Sequence, residues 1–358
     1  MNIAALLRKF LAGLSLMRRQ RVRLKDIAAR TGFSTNTVSL ALRESPRIPE
    51  QTRARIQGIA SELNYLPNEI AKSLVSRQSK TIGLVLTDIL NPTLNRTAQA
   101  LEIALKARGY STLFATSNNR LADEIQVINA FRSRQVDGIL VYPASHHDID
   151  HLRNLRNSGY PLVLLVADKD AGVDAVCIDG RSGAFKVTSH LISKGHKRIG
   201  LVDAGYLLGN MEKQQGYLDA LSAHRMKVDD GLMVRPEGTG VKAGFDAAPG
   251  LLGAGDRPSA VLCSNDSLAL GVQRWAIANG LAVPGDLAIA GFDNTEFGAY
   301  AAVPLTSVDY SAETVSNRAV ERLIGLIASA DHLPAPEVEL IEPDLIVRQS
   351  TSGPVAGR

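Results

Sequence analysis

The spacing of apolar residues along this chain changes from a helical period to a strand period. Between Val22 and Leu66 the spacing is helical: Leu24, Ile27 and Ala28 share a face, Gly32 interrupts, and Ser34 opens a second run through Val38, Ala41 and Leu42. Pro49, with Ile56, Ile59 and Leu63 after it, predicts a third helix, with Asn64 as a left-handed terminator. Tyr65 and Leu66 are then expected to pack back on the three helices. Pro67 precedes a short helical segment, Asn68 to Leu74, with only polar sequence after it. A helix that short is marginal in water, so it should form only with a partner.

From Lys80 onward short apolar runs alternate with helical stretches. TIGLVL, YSTLFAT, GILVYP, PLVLLV and AVCI come first, and RIGLVDA, LMVR, AVLCS, LAIAGF and SVDY repeat the pattern. Helices are predicted between them, among them Thr93 to Arg108 and Glu124 to Arg134. Unbroken apolar strands alternating with helices argue for parallel sheets covered on both faces. About nine or ten strands in two groups make this an α/β chain with two doubly wound lobes.

The stretch Val22 to Arg43 reads as a helix-turn-helix. A short turn containing Gly lets the second helix cross the first steeply and enter a DNA major groove. Ser34 is a good N-cap, which places Thr35, Asn36 and Thr37 in the opening turn, where base edges are read. Spacing alone fits an ordinary helix pair with solvated Thr35 and Asn36 equally well.

Charge favours the nucleic-acid reading. Residues 1–80 hold 15 Lys and Arg against 5 Asp and Glu, a net +10, while the rest hold 25 against 31, a net −6. A basic head on an acidic body suits phosphate better than a membrane surface. Hydrophobic content of 45% and charged content of 21% are those of an ordinary globular protein. Cys177 and Cys263, each inside an apolar run, read as free thiols in a reducing compartment, which places the protein in the cytoplasm. His146, His147 and His151 cluster with Asp148 and Asp150, and solvated histidines are the expected reading ahead of a metal site. No metal or cofactor is expected.

The opening MNIAALLRKFLAGLSLM fails as a signal sequence, because Arg8 and Lys9 split its apolar run and no small-residue cleavage site follows. No run approaches the roughly 18 apolar residues of a membrane span. Met17 is the expected start of translation, leaving residues 1–16 untranslated, and intact-mass measurement decides between the two starts.

These motifs together resemble the LacI/GalR family of bacterial transcriptional regulators. The likeness runs through DIAARTGFSTNTVSLAL, TRARI, ELNYLPN, IAKSL and KTIGLVL in the head, then NP at 91 and 92, VDGIL, HLISKGHKRIGLV, SNDSLALG, GFDN and PLTSV. It covers residues 22 to about 350, in order and at the right separations. The resemblance implies a helix-turn-helix DNA-binding domain at 22–66, a hinge helix and linker at 67–80, and a two-lobed periplasmic-binding-protein-like core at 81–350 for effector binding and dimerisation. The lobes are expected at about 81–177 with 309–338, and about 178–308 with 339–350. Three crossings near residues 177, 308 and 340 join them, and 351–358 form a tail. Residues 1–21 are left as an N-terminal extension.

By position, the resemblance puts Thr35, Asn36 and Leu40 among the base-reading side chains. Asn36 suits an adenine edge. Leu40 replaces a more usual basic residue and offers only apolar contact. Arg23 stands where a hydroxyl cap is common, giving up the cap for reach to a phosphate. Leu74 matches a leucine wedged into the minor groove at the operator centre, with Ala71 beside it and Asn68 nearby.

Ligands in open α/β sheets bind beyond the carboxyl ends of strands. There lie Asp88, Asn91 and Thr93, then Asn265 and Asp266, then Asp293 and Asn294. The resemblance adds Lys213, at a position usually Arg, and makes Asp293, Asn265 and Lys213 ligand contacts. The alternatives are that Asn265 only caps a helix, Lys213 is solvated and Asp293 anchors its turn. Lys213 gives up the fork of Arg, and Thr239 stands where some relatives carry a stacking aromatic. The expected partners are therefore an operator duplex, a second copy of the chain in a homodimer with no membrane involved, and a small sugar, sugar acid or related catabolite. Glu313 to Ala330 and the lobe helices are candidates for the dimer interface. A solute-binding protein would need an export signal and no basic head. An enzyme is not expected, for no nucleophile elbow, ligand cluster or Walker loop is present. A repressor that has lost its effector remains an alternative within the family.

Overall fold

The computed structural model describes residues 22–66, 78–207, 209–253, 255–330 and 332–353. It divides into two compact units, residues 1–77 and 78–358. Asn68, Ala71 and Leu74 lie outside the described residues.

In the first unit three helices, α1 (Leu24–Thr31), α2 (Thr35–Leu42) and α3 (Glu50–Glu62), enclose a core of Ile27, Val38, Ala41, Ile56 and Ala60. These are the positions that helical spacing turns inward. Gly32 ends α1 at φ 79°, a left-handed conformation open to Gly at little cost. After α3, Asn64 takes φ 50° and Tyr65 N–H reaches back to the Ala60 carbonyl at 2.9 Å, closing the helix end. Tyr65 packs against the core, but Leu66, expected to fold back, is 71% exposed.

The second unit holds two sheets. In chain order come β1 (Thr81–Leu86), α4 (Pro92–Lys106), β2 (Ser111–Thr116), α5 (Leu121–Ser133), β3 (Gly138–Val141), α6 (Asp150–Asn157), β4 (Leu162–Leu164) and β5 (Ala175–Ile178). Next are α7 (Gly180–Ser193), β6 (Ile199–Val202), α8 (Glu212–Ala223), β7 (Met233–Val234), α9 (Val241–Leu252), β8 (Ala260–Cys263), α10 (Asp266–Ala278), β9 (Ala288–Asp293) and α11 (Glu296–Ala299). Finally come β10 (Thr306–Asp309), α12 (Ala312–Ala328), β11 (Val338–Ile341) and β12 (Leu345–Ile346). The first sheet runs β11-β5-β4-β3-β1-β2, parallel throughout; the second runs β12-β10-β9-β8-β6-β7, antiparallel only at β12.

The chain passes between sheets after Ile178, after Asp309 and after Ile341. The last crossing comes beyond Leu340 because all of Val338–Ile341 pairs with Ala175–Ile178. The inner strands of both sheets are buried between helix layers, as parallel sheets require, while the edge strands are half-buried or exposed. The apolar face of α12, carrying Val315, Ala319, Val320, Leu323 and Leu326, lies in the core of the first lobe. That face is thus occupied within the chain, not free for a dimer contact. In the second lobe α9 and α10 touch backbone to backbone. A Cβ built on Gly244 would sit 2.2 Å from the Leu268 carbonyl oxygen, and one on Gly271 2.1 Å from that of Val241.

Candidate functional site

The head presents the opening turn of α2. Ser34 caps it, its hydroxyl accepting from Thr37 N–H at 3.1 Å and lying 2.9 Å from the Thr37 hydroxyl. Ser34 and Thr37 thereby hold the turn. Thr35 and Asn36 are exposed, with no hydrogen-bond partner among the described residues, and Leu40 is half-buried. Arg23 precedes α1 without a side-chain cap; instead its backbone N–H donates to the Asp26 carboxylate at 2.7 Å. Its exposed guanidinium has no partner among the described residues.

A second site lies between the two lobes of the core, at the carboxyl ends of β1, β3, β4, β6, β8 and β9. It encloses a cavity of about 110 Å³ lined by residues of both lobes, below the roughly 300–1,000 Å³ of typical ligand pockets. Asn91, Thr93, Lys213, Asn265 and Asp293 line it, as does Thr239. Asp88 is not in the lining: its carboxylate accepts from Leu90 N–H at 2.8 Å and holds its own turn.

Each predicted polar group in the cleft has a partner in this state. The Asn91 side chain accepts from Thr93 N–H at 2.9 Å and so caps α4. Asn265 caps α10 by accepting from Leu268 N–H at 2.7 Å, while its amide donates to the Thr239 carbonyl at 3.1 Å. Capping therefore coexists with a place in the cleft. Lys213 is not solvated: its ammonium donates to the Ser264 carbonyl at 2.6 Å and sits 3.8 Å from the Phe292 ring centroid. Asp293 stands at φ 102°, and its carboxylate accepts from the Thr93 hydroxyl at 2.8 Å. This bond spans the cleft, because Thr93 opens α4 in the first lobe and Asp293 ends β9 in the second. Arg96, one turn further along α4, donates to the Asn294 carbonyl at 3.4 Å and pairs with Glu313 at 2.9 Å. Burial pushes the Asp293 carboxyl up, while Lys213 and the Thr93 hydroxyl pull it down.

The cleft also holds Tyr142, Asp203, Glu212 and Tyr310, which the sequence does not single out, and His146, expected to be solvated. Tyr142 and Asp203 directly follow strands β3 and β6, so the strand-end rule that found Asp293 applies to them too. His146 is buried, not solvated, and its Nε2 has no partner among the described residues. Burial lowers its imidazole to about 4, helped by His147 and Lys213 and opposed by Asp168, so it is neutral at physiological pH. His151 is also drawn inward, its Nε2 lying 2.7 Å from the buried Glu124 carboxylate, which also accepts from Ala144 N–H. Only His147 is exposed as expected. Glu212 is raised to about 7 by burial, then by Asp179 and Asp168, with Lys213 and Lys169 opposing. Both cysteines are free and buried. No described helix is long and apolar enough to cross a membrane.

Both parts of the chain match known protein families. Residues 23–68 match the family described as bacterial regulatory proteins, lacI family, and residues 188–351 match the periplasmic binding protein-like domain. The chain is 31% identical over 316 residues to the probable HTH-type transcriptional repressor ExuR of Bacillus subtilis (strain 168), covering 87% of this chain and 93% of that protein. It is 31% identical over 337 residues to the HTH-type transcriptional regulator GalR of Escherichia coli (strain K12), covering 92% and 96%. Its fold superposes with a TM-score of 0.85 on the lac repressor dimer bound to operator and the anti-inducer ONPF, at 22% identity, covering 93% of this chain and 99% of that one. With relatives at this identity matched over nearly their whole length, and with a helix-turn-helix ahead of two parallel-sheet lobes, the chain belongs to the LacI/GalR family of bacterial transcriptional regulators.

Proposed function

We propose that this regulator represses transcription by binding a palindromic operator as a dimer, and that a small molecule in the interlobe cleft sets its affinity for that site. The observation that carries the DNA side is the exposed, unpartnered pair Thr35 and Asn36 on a turn held by Ser34 and Thr37. Two-fold-related heads reading two half-sites match a palindrome. Asn68, Ala71 and Leu74 would add a minor-groove wedge at its centre. The Thr93–Asp293 bond supports the effector side, since a ligand hydroxyl that takes Asp293 replaces one of the contacts that bridge the lobes. Effector and operator then change each other's affinity reciprocally. A sugar or related catabolite fits a cleft lined by hydroxyl, amide and carboxylate groups, and the cytoplasm is where such a regulator acts.

Selection from a random duplex pool with the full-length chain tests this. Enrichment of an even-length palindrome with a flexible central step supports the reading, whereas no enrichment from folded protein, with and without candidate ligands, removes it. The small cavity and the already satisfied Lys213 favour a second reading, a repressor independent of any effector. Thermal shift against a metabolite library separates the two, because a constitutive repressor is stabilised by none of its members.

A further inference from the structure

Among the described residues, four charged side chains line the interlobe cavity: Asp203, Glu212 and Asp293 against Lys213. The single cation is already engaged. Its ammonium donates to the Ser264 carbonyl and rests on the face of Phe292, so an entering anion would have to displace both contacts. The carboxylates are less well provided for. Asp203 is buried; one of its oxygens accepts from Gly205 N–H at 2.8 Å, and the other has no partner among the described residues. Glu212 makes no side-chain hydrogen bond among the described residues. Its carboxylate lies against Gly180, where an added Cβ would come within 3.0 Å of Oε2. Glu212 also faces a hollow on its other side, where Asp168 and Asp179 add negative charge and Lys169 partly offsets it. His146 contributes a buried ring nitrogen without a partner among the described residues and carries no charge at neutral pH.

A buried acceptor left unpaired is costly and gains most from a donor. A second negative charge among such acceptors is repelled strongly, because the closed cleft screens it poorly.

Resting on the effector reading above, we infer that Glu212, with Asp203 and Asp293, makes this cleft a charge filter that admits hydroxyl- and amine-bearing ligands and excludes those carrying a carboxylate or phosphate. Glu212 is the determinant residue. Asp293 is tied to Thr93 and Asp203 is anchored through Gly205, whereas Glu212 is free to meet an ammonium or hydroxyl directly.

The test uses the full-length protein and matched sets of sugars, each a neutral hexose with its 2-amino, uronate and 6-phosphate forms, in the gluco and galacto series. Thermal stabilisation and titration calorimetry at pH 8, where the Glu212 carboxyl is charged, give relative affinities. The neutral or amino member of a set is expected to bind at least tenfold tighter than its acidic counterparts, and in Glu212→Gln the amine should lose its advantage while the penalty on the uronate shrinks. A uronate or phosphate that binds the unaltered protein as tightly as its neutral parent overturns the inference, with or without a folded variant. So does an unchanged ratio in Glu212→Gln. If no member of either series binds while operator binding is intact, the effector reading itself fails and this inference with it.

Discussion

Glu212→Gln also tests the electrostatics of the cleft without any ligand. The carboxyl is raised from an ordinary value of 4.5 to about 7, chiefly by burial and then by Asp179 and Asp168. Below about 4.5 it is protonated in folded and unfolded chains alike. Between 4.5 and about 7 only the folded chain keeps the proton. Above 7 the folded chain carries a charge in surroundings that disfavour it. The stability tied to this group is therefore full below its unfolded value and is lost as pH rises through its folded one. At about 1.4 kcal/mol for each tenfold in acidity, the interval is worth about 3 kcal/mol. Water reaching this partly exposed side chain reduces that to about 1.5–2 kcal/mol. Glutamine keeps the shape and carries no charge, so the variant should exceed the original protein by about 0.5 kcal/mol or less at pH 5 and by the full amount at pH 8. Urea unfolding followed by the fluorescence of Trp275, the one tryptophan, reads the difference at both pH values. The same stability difference at pH 5 and pH 8, or a weaker variant at pH 8, would refute the assigned cause.

Three further changes probe the other parts. Thr93→Val removes the hydroxyl that bonds Asp293 across the cleft; losing a hydrogen bond to a charged group of this exposure should favour open lobes by about 1–2 kcal/mol, roughly five- to thirtyfold. Fluorescence transfer between labels on the two lobes measures it, and an unmoved equilibrium would show that the bond does not hold the lobes. Asn36→Ala should weaken operator binding by about 1–3 kcal/mol and relax the preference at one base pair per half-site, while the salt dependence stays unchanged. An altered salt slope would instead point to a phosphate contact. Gly244→Ala drives a methyl into the Leu268 carbonyl 2.2 Å away, a backbone atom with no room to yield, and should destabilise the core by about 3 kcal/mol or more; a loss under 1 kcal/mol in denaturant titration would mean that α9 and α10 can slide apart.

Hydrophobic period revealed most of the fold because burial sets it. All ten apolar runs became strands, and the three head helices turn their predicted faces inward. Val338–Ile341 and Leu345–Ile346 escaped notice because strands at sheet edges are short and half-buried, and the first carries a Glu at its second position. In the cleft, Asn91, Thr93, Lys213, Asn265 and Asp293 were legible from strand ends and family position. His146 was not, since a polar run of His and Asp looks solvated and only tertiary packing buries one of its members. Asp88 erred in the opposite direction: an acidic residue after a strand serves a local turn as readily as a ligand. Glu212 was overshadowed by Lys213 beside it, and its character depends on Asp168 and Asp179, which are distant in sequence.

The glycine seam between α9 and α10 bears on how this lobe can evolve. Helices seated backbone on backbone have no intervening layer of side chains to re-sort, so a push on one is handed to the other undiminished instead of being absorbed. The lobe should then behave as a stiff lever arm, and variation that retunes ligand preference has to accumulate in the loops that cap the strands. A mutational scan would map that division directly, as a permissive rim around the cleft and an intolerant stripe along the seam.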